Sequence, residues 1–146
     1  MITCTFFGHR DAPYTIKPLL REVLLDLIEH QNVTRFFVGH QGNFDRMALD
    51  LLDDLSHTHD IRFEMVRAYW PKKADPVFDI YYTIIPEGIE SVPPKYAIDY
   101  RNHWMIDHSD IIVCYVRYSV GGAAKFKQIA ENKGKTVIEL AHKSAP

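Results

Sequence analysis

Three short segments of this chain combine glycine with side chains that can hold an anion. They are Gly8-His9-Arg10-Asp11, Gly39-His40-Gln41-Gly42-Asn43-Phe44-Asp45 and Arg117-Tyr118-Ser119-Val120-Gly121-Gly122-Ala123. Glycine lets backbone N–H groups approach a ligand closely, and the first turn of a helix carries unpaired amides with partial positive charge, so such segments suit a phosphate. Taken singly, each is also what a tight strand-to-helix turn requires. Arg10 offers the planar two-pronged donor that pairs with phosphate, and the alternative is a salt bridge to Asp11 or a neighbouring helix. Asp45 either accepts ribose hydroxyls or complements the dipole of the helix it begins. Ser119 caps the following helix, touches the phosphate, or does both. His9 and His40 have reach but no evident orienting partner. Arg101 shares a helical face with Met105, four residues on, which turns it toward a cleft; a surface pairing with Asp99 or Asp107 is the alternative. Neither G-x-G-x-x-G nor the P-loop pattern G-x-x-x-x-G-K-[ST] is present, so ordinary dehydrogenase and ATPase readings have no support.

The elements around these segments decide whether they meet. Residues 2 to 7 (ITCTFF) read as a strand that stops at Gly8, and residues 15 to 30 change to helical spacing, with Thr15 as a cap and Pro18 in the first turn. RFFVG at 35 to 39 predicts a second strand, followed by a helix whose stripe is Phe44, Met47, Ala48, Leu51, Leu52 and Leu55. IRFEMVR at 61 to 67 alternates and so predicts a half-exposed edge strand, whereas IIVCYV at 111 to 116 is apolar throughout and predicts a central one. A helix over 121 to 133, closed by Gly134, and a strand TVIEL at 136 to 140 complete the pattern, with a loose tail after it. The alternation predicts one α/β domain over residues 1 to 146: a Rossmann-like three-layer αβα sandwich on a five-stranded, mainly parallel sheet in the order 3-2-1-4-5. In such a sheet ligands bind outside the carboxyl ends of the strands, where all three glycine segments fall. Residues 68 to 96 hold five of the eight prolines and are too long for an ordinary connection. They predict a lid or a packed excursion whose Trp70, Phe78, Tyr81 and Tyr82 either stack on a base or pack on the sheet.

Composition narrows the partners. Lys plus Arg number 17 against 19 Asp plus Glu, a net charge of −2, so no whole-molecule field draws in nucleic acid or an acidic membrane. Lys125, Lys127, Lys133 and Lys135 form a local basic edge without flanking aromatics, which reads as a solvated face. Cys4 and Cys114 are the only cysteines, too few for a disulfide scaffold, and in neighbouring inner strands they read as core filling. His57-x-His59 lacks a third ligand nearby, so no metal is expected. The apolar runs are strand-sized, and the amino end lacks the features of an export signal; a cytoplasmic location is the expectation.

Four segments in order, FFGHRD, VGHQGNFDRMAL, RNHWMIDHSDIIVCYV and GGAAKFKQIAENKGKTVI, resemble the SLOG superfamily, the Rossmann-like nucleotide-ligand domains that include the Lonely Guy phosphoribohydrolases and DNA-processing protein A. The likeness spans most of the chain except residues 68 to 96 and is closest to small, stand-alone bacterial members. It implies a site for a nucleotide or nucleotide-derived molecule such as AMP, ADP-ribose or an NAD derivative, built from Gly8, His9, Arg10, Gly39, Gln41, Gly42, Asn43, Asp45, Arg101, Ser119, Gly121 and Gly122. The alternative it implies is an N-glycosidic phosphoribohydrolase acting on nucleoside monophosphates. Arg101 and Met105 match that branch, as do Gly121 and Gly122, but Lys127 and Gln128 stand where it has an acidic pair. Hydrolysis needs a carboxylate to steady the sugar cation and activate water, so Asp11, Asp45 or Asp107 would have to supply it. A DNA-handling role is the third reading, and a homodimer is the expected assembly.

Overall fold

The computed structural model describes residues 1–69 and 82–144. One parallel sheet organises them: β1 (Ile2–Gly8), β2 (Val33–Val38), β3 (Arg62–Val66), β4 (Thr83–Ile84), β5 (Ile111–Tyr115) and β6 (Thr136–Glu139), in the order β4-β3-β2-β1-β5-β6. Apart from β4, this is the order predicted from sequence, and the fold is the Rossmann-like α/β sandwich.

The predicted five strands become six because Thr83–Ile84, within the segment 68 to 96, pairs with the sheet. Met65 donates to the Tyr82 carbonyl (2.8 Å) and Arg67 to that of Ile84 (2.9 Å), so the two-residue β4 covers the outer side of β3. The edge position expected for β3 is thereby corrected. Its polar alternation has another cause: Glu64 is buried and accepts two bonds from Arg35 on β2, Nε at 2.6 Å and Nη2 at 3.0 Å. Trp70, Phe78 and Tyr81 lie outside the described residues, while Tyr82 is exposed.

Helices cover both faces. α1 (Lys17–His30), α2 (Asn43–Ser56) and the short α5 (Leu140–Ser144) pack over Cys4, Phe6, Phe36, Val38, Ile111, Val113 and Tyr115. α3 (Ala97–Asp107) and α4 (Gly122–Asn132) cover Phe7, Phe37, Ile112 and Cys114 on the other side. Successive strand residues point to opposite faces, so these nearly continuous apolar runs fill two cores at once. Burial of Phe44, Met47, Ala48, Leu51, Leu52 and Leu55 follows the predicted stripe of α2. Two local expectations are corrected. Thr15 makes no cap, because a 3-10 turn at Tyr14–Ile16 already carries it into helical geometry and Ile16 takes the cap position. The tail expected to be loose after Leu140 is helical as far as the described residues run: Leu140–Ser144 forms α5, seated on the core through Leu140 and Ala141.

Candidate functional site

The order of the sheet places the ends of β1 and β2, with the first turns of α2 and α4, around one cleft of about 260 Å³ at the carboxyl edge. Gly8, His9 and Arg10 enter it from the turn after β1, and Gln41 and Asp45 from the turn and helix after β2. α3 lays Ile98, Arg101, Asn102 and Met105 along another side, and Gly122 with Ala123 brings in the first turn of α4. Ile98 is not singled out in sequence, and Asn102 enters there only through the resemblance of the segment that begins Arg101-Asn102. The spacing Ile98-x-x-Arg101-Asn102-x-x-Met105 marks one helical face and is the signal that finds them.

Several of the residues named from sequence serve the packing of the turns or lie off the cleft, and Gly8 both lines the cleft and serves that packing. A Cβ on Gly8 would meet the Phe44 ring at 2.3 Å, so that glycine admits a core aromatic. Gly42 has φ +99° and lies so close to the first turn that a Cβ would come within 2.5 Å of the Arg10 Cα. Asn43 donates its N–H to the Arg10 carbonyl (2.9 Å), accepts from the Tyr14 hydroxyl (3.0 Å), and donates its amide to the Ala12 carbonyl (3.3 Å). Its role here is to clamp two turns together. Ser119 is exposed and does not cap α4, whose cap position is Gly121 at φ +103°; a Cβ on Gly121 or Gly122 would meet open space.

The charges at the cleft are few and well defined. Asp45 is buried, and its Oδ2 accepts the Gln41 N–H at 2.8 Å. Burial pushes its carboxyl up to about 6, opposed by the Arg101 cation and by the Gln41 N–H. Arg101 is buried too; it donates Nη1 to the Val66 carbonyl (3.2 Å) and Nε to the Asn102 Oδ1 (2.9 Å). Burial lowers its pKa, while the Asp45 carboxylate and Tyr69 pull upward. A Cβ on Gly39 would lie 3.0 Å from both Arg101 Nη1 and Asp45 Oδ2, so this glycine leaves the space the two charged groups occupy. The surface pairing for Arg101 is closed off, because Asp99 binds Lys125 (2.7 Å) and Asp107 binds Lys133. Arg10, by contrast, is exposed, and its guanidinium has no hydrogen-bond or ion-pair partner among the described residues.

His9 does have an orienting environment: its Nε2 accepts the N–H groups of Arg117 (2.9 Å) and Tyr118 (3.3 Å). Lys127, at the position where the resembled hydrolases carry acid, binds Glu139 at 2.9 Å. Burial alone would raise the Glu139 pKa, but bonds from Lys127 and from the N–H groups of Ala141 and Val116 hold it below the ordinary value. Among the described residues there is no group of three potential metal ligands, and no helix is long and apolar enough to cross a membrane.

No family model and no curated protein matches this sequence. Among solved structures, the chain is similar to DNA processing protein A (DprA) from Streptococcus pneumoniae, with a TM-score of 0.69 and 14% identity. The match takes in 95% of this chain and 50% of that one, so the chain spans about half the length of the protein it resembles. At that identity the likeness shows a shared fold.

Proposed function

We propose that this chain binds a nucleotide or nucleotide-derived small molecule in the cleft between β1, β2, α3 and α4, and that it is a SLOG-type domain. The observation that carries this reading is the pairing of two arginines in different states at one opening. Arg10 is exposed and unpartnered among the described residues, while Arg101 is buried and held in place. An anion entering the cleft meets a free guanidinium and the open amide end of α4, with a fixed cation behind them. Asp45 supplies a buried acceptor for a hydroxyl or amino group of the same ligand. The volume of about 260 Å³ lies just below the roughly 300–1,000 Å³ of sites for drug-sized molecules, which favours a mononucleotide-sized group inside the cleft.

A thermal-shift panel of AMP, ADP-ribose and NAD tests the reading. A ligand at a hundredfold excess over Kd adds about 2.7 kcal/mol to stability, and Arg10→Ala should weaken its binding. Absence of any shift at millimolar concentration, with no nucleotide co-purifying by mass spectrometry, overturns it.

One observation supports hydrolysis of an N-glycosidic bond as a second reading. Asp45 is a carboxyl held near 6 beside the cleft, suited to exchange a proton near neutrality or to steady a sugar cation. Release of free base from nucleoside monophosphates, abolished in Asp45→Asn, would establish it; no release above a blank ends it. The likeness to a DNA-processing protein puts single-stranded DNA in the same panel. Binding that weakens steeply with salt would replace the small-molecule reading.

A further inference from the structure

We infer that His9 is a positioning residue for this cleft. Its imidazole is fixed as the Nδ1–H tautomer and tethers the turn after β5, so that Gly122 and Ala123 at the start of α4 line the opening. The inference rests on the proposed ligand site for its purpose, but the tether itself is testable without a ligand.

The segment Val116 to Gly121 joins the centre of the sheet to α4, and its residues from Arg117 onward are exposed. Three successive amides at its start are held by side chains of the two flanking strands. Glu139 at the end of β6 accepts the Val116 N–H at 3.0 Å, and His9 just beyond β1 accepts those of Arg117 and Tyr118. His9 itself is anchored by its N–H to the Tyr115 carbonyl (3.3 Å), next to the Gly8–Tyr115 register pair. Its ring lies 4.6 Å from that of Tyr118 and meets the edge of Tyr115 at 6.2 Å. A ring nitrogen that accepts two N–H groups keeps its lone pair, so the imidazole proton resides on Nδ1. Packing alone would be served by any flat ring; two converging amides call for an acceptor. Beyond Tyr118 the next fixed point is the α4 cap at Gly121, where Lys125 donates to the Gly121 carbonyl at 3.1 Å. His9 is therefore the last tether before the amide end of α4.

The test compares the wild-type chain with His9→Phe, which keeps a ring but no acceptor, and His9→Gln, which keeps an acceptor near the Nε2 position without the ring. Long-range nitrogen–proton NMR on the wild-type chain reports the tautomer, amide exchange reports the Arg117 and Tyr118 N–H groups, and AMP is the binding probe. We expect the Nδ1–H pattern, loss of protection at both amides in His9→Phe with roughly tenfold weaker AMP binding, and recovery of most of both in His9→Gln. An Nε2–H tautomer in the wild type overturns the inference even if neither variant folds. So does His9→Phe with unchanged amides, or His9→Gln that folds without recovering them. If the wild type fails to bind AMP while the amides behave as expected, the tether stands and the choice of ligand does not.

Discussion

Asp45 is the residue at which burial and function pull apart. An acceptor at the cleft is useful when ionised, yet its surroundings hold the proton on to about pH 6, whereas the unfolded chain releases it near the ordinary 3.8. Between those values the folded state binds more protons at Asp45 than the unfolded one, so the contribution of this residue to stability is greatest at low pH and is lost as pH rises through about 6. Relative to Asp45→Asn, the wild type should lose on the order of 2 kcal/mol between pH 4 and pH 7.5, measured by urea unfolding of both proteins at each pH. Arg101 stays charged throughout, so the charge left without its carboxylate in the variant is a constant offset and cancels from the difference. A difference that is flat or opposite in sign overturns the account. Gly39→Ala probes the same pair sterically, because its methyl would land 3.0 Å from a charged atom of each. We expect a loss of about 1–3 kcal/mol and weaker AMP binding, read by unfolding and by calorimetry. Sequence indicated that Asp45 and Arg101 belonged near the ligand end of the sheet, but not that they share the space over Gly39. Residues 45, 101 and 39 lie on separate elements, and only the packed sheet brings them together.

At the scale of elements, legibility followed the length and regularity of the signal. α2 was plain, since its apolar stripe runs through more than three turns and is buried as written. β4 was invisible because two residues, Thr83 and Ile84, carry no period, and their role comes from lying beside Met65 and Val66. The alternation of β3 suggested water on one side, but the polar position at Glu64 is answered by a neighbouring strand. Arg35 holds Glu64 through two bonds while Arg62 approaches at 3.3 Å, and the Glu64 carboxylate is almost wholly enclosed. Arg35→Leu should therefore cost about 2–4 kcal/mol, because it removes the main partner of a buried charge. The double variant Arg35→Leu/Glu64→Leu should recover much of that loss. A thermodynamic cycle over the two single variants and the double variant checks it, and purely additive losses would show that the pair is not coupled.

The whole molecule made its candidate site readable in advance through topology rather than motif. Parallel strands in this order bring the turns after β1 and β2 to one edge whatever those turns contain, and α3 and α4 close the sides. What sequence could not separate were glycines that admit a ligand from glycines that admit the protein's own atoms; Gly8 makes room for Phe44 and Gly42 for Arg10. Charge gives the last discrimination. The net charge is −2, and on α4 and the turn after it Lys125, Lys127 and Lys133 are each bound to an acid, Asp99, Glu139 and Asp107. Among the described residues of that surface Lys135 alone is left without an ion pair, which makes no stripe of cations for a polyanion to follow. Binding that depends on Arg10 and one phosphate group is weakened by salt only through ordinary screening of that ion pair, whereas a strand tracked along the surface releases roughly 0.7 counterions per neutralised phosphate over several phosphates. Affinity for AMP should accordingly fall only a few-fold between 50 and 200 mM salt, and a labelled single-stranded oligonucleotide should bind no tighter than AMP at either concentration. Calorimetry for the one and fluorescence anisotropy for the other decide the matter. An oligonucleotide that binds more tightly and loses affinity several times more steeply with salt would move the function from a small-molecule cleft to a nucleic-acid surface.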